Sequence, residues 1–215
     1  MENQLIVSQR RPHARSSMSA SQRRADPASG TSAQSLLEQH LPEVVRQIEL
    51  ACMGQADLVP YAVRQALNEG LQACATAKLI TELEARPVSE QTYTRHVLHA
   101  DANGRFTVVA LIWGAQQFSP VHAHHTWCTY RVLTGELTES HYEWDRAGGH
   151  AYLFNKVVRR PGQSVCGHAG LELIHRLGNA GLTPAMSIHI YGVDAQRVST
   201  HVNRILPWVE KTVDV

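Results

Sequence analysis

Pro120-Val-His-Ala-His-His-Thr-Trp-Cys128 is the stretch that decides how this chain folds. In a strand, residues two apart share a face, so His122 and His124 project together and can hold one metal ion between them. Cys128 and Tyr130 keep that parity, whereas His125 has the opposite one and is the poorer ligand. A further ligand must come from another strand. Leu171, Leu173, His175 and Leu177 alternate as one face, which makes His175 the best choice. His168, just ahead of the same strand, is the runner-up, while His141, His150 and His201 read as surface or loop residues.

Outward from this stretch, the strand character persists. After Pro87 the chain consists of short segments rich in Val, Thr, Tyr and Ile, separated by turn signals at spacings of about 8 to 12 residues, the mark of an all-β sandwich or barrel. Roughly seven or eight strands are expected. Asn103-Gly104 predicts a two-residue hairpin with positive φ at both central positions. Phe106 to Trp113 is apolar on both faces, as a strand lying between the barrel interior and a second layer would be.

That second layer is helical. Leu36, Leu37, Leu41, Val44, Val45, Ile48 and Leu50 recur at helical spacing, and a second helical stretch runs from Pro60 through Leu71, with Pro60 suited to a first turn. Residues 1–34 carry five arginines against two acids and no hydrophobic period, and read as a disordered tail. The division expected is therefore a tail over 1–34 and a single domain over 35–215, helical over 35–90 and a barrel over 91–206.

Composition narrows the function classes. A hydrophobic content of 43% and a formal net charge of +1 are ordinary for a soluble globular chain and give no reason to expect a nucleic-acid partner. No apolar run long enough for a membrane span is present, and the N-terminus lacks the apolar core of a secretory signal, so a cytoplasmic location is expected. The four cysteines have no CxxC spacing, which argues against a zinc knuckle or a disulfide framework. The unusual feature is 13 histidines against three phenylalanines.

The spacing resembles the cupin superfamily, whose first motif is His-x-His, three or four residues, usually Glu, six residues, Gly. Here it reads His122-Ala-His124, three residues, Cys128, six residues, Gly135. The second cupin motif ends in His, three residues, Asn, matched by His175 and Asn179, with Pro161-Gly162 echoing its earlier part. The resemblance implies a mainly β fold, a jelly-roll barrel with an N-terminal helical layer, and a metal held by His122, His124 and His175. Cys128 stands where many cupins have a glutamate ligand.

From about Leu79 to about Leu206 the chain is similar to cysteine dioxygenases and bacterial thiol dioxygenases. Tyr93-Thr94-Arg95 resembles the Tyr-Thr-Arg whose arginine and tyrosine bind the substrate carboxylate. Gly104-Arg105-Phe106 leading into Leu111-Ile112-Trp113-Gly114 is a framework segment of that family. Ser187-Ile-His189-Ile-Tyr191 matches its Ser-x-His-x-Tyr relay, and period-two spacing puts those three side chains on one face. In animal members a cysteine at the place of Cys128 is joined to the tyrosine by a thioether. Ala123, where the family usually has Asp, and Tyr191-Gly192 depart from the animal pattern, the latter toward bacterial members.

The resemblance implies an Fe(2+) enzyme of cysteine catabolism that passes both atoms of O2 to the sulfur of L-cysteine. Three neutral imidazoles leave the metal charge without an anionic ligand, which a substrate thiolate supplies. Alternatives are a dioxygenase for 3-mercaptopropionate or another mercapto-carboxylate, a metal-binding cupin module without catalysis, and a zinc or nickel cupin isomerase.

Overall fold

The computed structural model describes residues 41–210. The expected tail over 1–34 and the start of the first expected helix lie outside the described residues.

Among the described residues three α-helices precede the strands: α1 (Pro42–Ala51), α2 (Val59–Gly70) and α3 (Ala73–Glu84). Prolines near the start of α1 and α2 fit there because the first helical N–H groups have no intrahelical acceptor. Val44, Val45 and Ile48 of α1 and Val63, Ala66 and Leu67 of α2 form the buried stripes. The two helices approach so closely that a Cβ on Gly70 would lie 2.1 Å from Val44 Cγ2. The third helix was not anticipated as a separate element.

Eleven strands follow among the described residues: β1 (Thr94–Ala100), β2 (Thr107–Trp113), β3 (His122–His124), β4 (Cys128–Thr134), β5 (Leu137–Asp145), β6 (His150–Arg159), β7 (Ser164–Gly167), β8 (Gly170–Gly178), β9 (Ala185–Tyr191), β10 (Asn203–Ile205) and β11 (Trp208–Val209). The excess over the expected number lies in pieces of two to four residues, too short to show an alternation. They build a five-stranded sheet in the order β1-β2-β9-β4-β7 and a six-stranded sheet in the order β10-β3-β8-β5-β6-β11.

β2 is buried along its whole length and serves two cores, as its two apolar faces predict. Phe106, Val108, Ala110 and Ile112 pack with the helices, while Val109, Leu111 and Trp113 face the interior shared by the two sheets. Polar ties fasten the helical layer. Thr129 Oγ1 donates to Pro60 O at 3.0 Å, and the Arg131 guanidinium donates to Leu67 O at 3.1 Å and Leu71 O at 3.3 Å, satisfying carbonyls at the end of α2.

Two sequence expectations are corrected here. The β1–β2 connection is not a two-residue turn with positive φ at both centres: Gly104 has φ 69°, but Asn103 does not share it. The turn is closed by Gly104 N–H donating to Asp101 O at 2.9 Å, and the Asp101 carboxylate takes the Arg105 backbone N–H at 2.8 Å and its guanidinium at 2.7 and 2.9 Å. A carboxylate able to accept all of these dictates the turn. The alternating face Leu171, Leu173, His175, Leu177 is also interrupted. β3 pairs His122 with His175 and His124 with Gly170, a register shift, and Leu171 packs against a different core cluster, the one that holds Ile174 and Tyr142, from Leu177.

Candidate metal centre

Three strand positions bring the histidines together. β3 supplies His122 and His124, two residues apart, and the antiparallel partner β8 places His175 directly opposite His122. The imidazole centroids are 5.0 Å (His122–His124), 4.7 Å (His122–His175) and 5.1 Å (His124–His175) apart. One ring nitrogen from each lies within 4.8 Å of the others, and all three residues are buried.

The donor chemistry fits a divalent metal. Pro120 O lies 2.9 Å from His122 Nδ1, and a carbonyl only accepts, so this nitrogen carries the proton and Nε2 is bare. Glu139 Oε1, 2.7 Å from His175 Nδ1, fixes the same tautomer there. His175 Nε2 and His124 Nδ1 are buried without a hydrogen-bond partner, a cost rarely left uncompensated. Burial, followed by the neighbouring His175, pushes His122 down to about 3 and His124 well below the usual imidazole range. Neutral rings are the metal-binding form.

The same cavity is lined by Tyr93, Arg95, Trp113, Cys128, His189 and Tyr191, so of the residues expected to bind metal or substrate or to form the relay, all but Ser187 face it. Ser187 is fully buried one step behind. Trp113 Nε1, which can only donate, lies 2.9 Å from Ser187 Oγ. Ser187 Oγ lies 2.8 Å from His189 Nε2, and His189 Nδ1 lies 3.2 Å from Tyr191 Oη. His189 Nε2 is the acceptor beside the buried Ser187 hydroxyl proton, so the serine donates to Nε2 while its oxygen takes the indole N–H. His189 then carries its proton on Nδ1 and donates to the tyrosine. The Tyr191 O–H is left to point elsewhere. Burial keeps His189 neutral and raises Tyr191 well above the ordinary phenol range, so the chain stays protonated and uncharged.

On another wall, Arg95 Nη2 donates to Tyr93 Oη at 2.9 Å, and the Tyr93 ring stacks on Trp113 at 4.5 Å. Arg95 Nε is buried with no hydrogen-bond partner. A guanidinium held at one corner with another donor unused is suited to a carboxylate. Cys128 is not part of the three-histidine group. Burial pushes its thiol far up, so it sits there protonated.

Other histidines fall elsewhere. His168 rests its ring against Tyr61 at 5.6 Å and does not join the group. His141 is not a surface residue: it is a half-buried member of β5 whose Nε2 lies 3.3 Å from Glu139 Oε2. Asn179, the end of the second cupin motif, donates to Trp113 O, Gly114 O and Thr183 O and braces the loops. Sequence reading missed Glu139 and Arg159. Glu139 falls in phase with buried Leu137 on β5, and a charged residue on a buried face was the available signal.

A double-sheet barrel holding a buried three-histidine group at the His-x-His strand is a cupin. The family model described as cysteine dioxygenase type I matches residues 81–202, more than half of the chain, and the chain belongs to that family. It is 31% identical over 121 residues to cysteine dioxygenase type 1 of Danio rerio, covering 52% of this chain and 57% of that one. To the Homo sapiens enzyme of the same name it is 31% identical over 103 residues, covering 46% and 50%. The Rattus norvegicus one is 29% identical over 102 residues, with the same coverage of 46% and 50%. The chain thus spans about half the length of the curated relatives it matches. Among the described residues no helix is long and apolar enough to cross a membrane.

Proposed function

We propose that this protein is an iron(II)-dependent thiol dioxygenase that combines L-cysteine with O2 to give cysteine sulfinic acid. The observation that carries this reading is the convergence on one cavity of three histidines whose ring nitrogens lie within 4.8 Å of one another, an arginine with an unused buried donor and a protonated tyrosine. His122, His124 and His175 would hold the iron, which when bound supplies the site where a thiolate and O2 meet. Cys128 in place of a carboxylate ligand leaves the anionic position to the substrate sulfur.

Around that centre each side chain has a task. Arg95, steered by Tyr93, fixes the substrate carboxylate and thereby the sulfur. Tyr191 donates its O–H toward the oxygen arriving on sulfur, and Trp113, Ser187 and His189 hold that donor in place. Positioning and a preoriented donor are the contributions such a site makes. The thiol and one O2 become the sulfinic acid with no other reactant.

A related reading is favoured by one feature of the lining. No aspartate or glutamate faces the cavity among the described residues, so a substrate ammonium would meet no carboxylate there. 3-Mercaptopropionate, a thiol with a carboxylate and no amine, fits the same contacts. The test is single-turnover product analysis under 18O2 with either thiol and iron-loaded protein. Both labelled atoms in the sulfinate support the dioxygenase. Disulfide or unlabelled product would contradict it, and a much larger kcat/KM for 3-mercaptopropionate would reassign the substrate.

A further inference from the structure

The carboxylate absent from the metal-binding residues is present one bond behind them. Glu139, on β5, is fully buried, and its two oxygens face different partners. Oε2 takes Arg159 Nε and Nη2, each at 2.7 Å, and Oε1 takes His175 Nδ1 at 2.7 Å. His141 Nε2 lies 3.3 Å from Oε2 and the Tyr130 hydroxyl also interacts with the carboxylate, while Oε1 takes the His175 ring.

A buried ion pair that served only to tie β5 to β6 would have no reason to turn an oxygen toward a ring on β8. A carboxylate accepting from the far nitrogen of a metal-binding imidazole has two effects. It fixes the tautomer with Nε2 bare, and it makes that nitrogen a stronger donor. Arg159 balances the charge, so the carboxylate can be buried ionised. Resting on the three-histidine reading above, we infer that Glu139 is a positioning residue for His175. It presents Nε2 to the metal and lends the centre a negative charge from behind the ligand, with Arg159 as the counter-ion that makes this possible.

The test is iron(II) affinity of the full chain, measured anaerobically by chelator competition, together with the Fe(III)/Fe(II) midpoint potential. Glu139→Gln should weaken iron binding by roughly 10–100-fold, the range for such outer partners, and raise the potential, because the ferric state loses a stabilising charge. Loss of a merely structural pair would lower the unfolding midpoint without moving the potential of the folded protein. Glu139→Gln/Arg159→Gln removes both charges, leaves no buried charge alone, and should weaken iron binding in the same way.

Should the double variant fold and bind iron as tightly as the wild type while His122→Ala loses the metal, the role of Glu139 is refuted and the three-histidine reading stands. If His122→Ala also binds iron as tightly as the wild type, both fall together. Failure of both Glu139 variants to fold would assign the residue to structure and overturn the proposal.

Discussion

Cys128 on β4 and Tyr191 on β9 are direct register partners across the sheet, and both face the cavity beside the three histidines. Burial keeps thiol and phenol protonated, so neither is a resting anion. The sequence resemblance to animal cysteine dioxygenases implies a thioether between this cysteine and this tyrosine. Iron-loaded protein turning over cysteine in air should become lighter by two hydrogens, taken up by O2, and Cys128→Ser should not. Intact-mass spectrometry reads this directly. An unchanged mass after many turnovers would mean that the pair is only packed.

Tyr191 is the end of a one-way chain of hydrogen bonds that starts at Trp113. Tyr191→Phe keeps the ring and removes the donor, and kcat should fall by roughly 10²–10³-fold, the scale for losing one preoriented donor. Trp113→Phe leaves Ser187 without its donor two steps further back. Its kcat should fall less, with an unfolding penalty of about 1–3 kcal/mol for the disturbed buried hydrogen bond. Equal rates for wild type and Tyr191→Phe would remove the tyrosine from the chemistry.

Arg95 is expected to read a carboxylate and nothing else. Arg95→Gln should cost about 2–5 kcal/mol in kcat/KM for cysteine and 3-mercaptopropionate, as expected when one partner of a desolvated charge pair is truncated. Oxidation of cysteamine, a thiol without a carboxylate, should be slow with both proteins and nearly unchanged by the substitution. A matching loss with cysteamine would show that Arg95 shapes the site without contacting a carboxylate.

What could be read from the chain was whatever depends on strand parity. His122 with His124, and Ser187 with His189 and Tyr191, share faces because β3 and β9 are regular over those residues. The two-sided burial of β2 was legible for the same reason. Parity failed where register shifts, as at Leu171, and where a side chain overrules a turn, as Asp101 does at Asn103-Gly104. Glu139 was missed because the partners that let a carboxylate stay in that buried phase, His175 on β8 and Arg159 on β6, are distant in sequence.

The Asp101 clamp has a pH signature. Hydrogen bonds from the Arg105 guanidinium hold the Asp101 carboxyl below its ordinary value, against the opposing effect of burial. A depressed folded-state pKa adds stability above the unfolded carboxylate value, and that stability is lost as pH falls through the folded value. Wild-type stability should therefore decline on acidification, and Asp101→Asn should be less stable at neutral pH with a shallower acid slope. Urea unfolding across that pH range is the measurement, and parallel curves would contradict the assignment.

The most direct test of the central claim is O2 consumption by iron-loaded protein with cysteine, wild type beside His122→Ala. Thiol-dependent uptake with sulfinic acid formed in equal amount, lost when His122 is replaced, is the result expected of a three-histidine thiol dioxygenase. Uptake no greater than that of His122→Ala, with cysteine and with 3-mercaptopropionate alike, would contradict it.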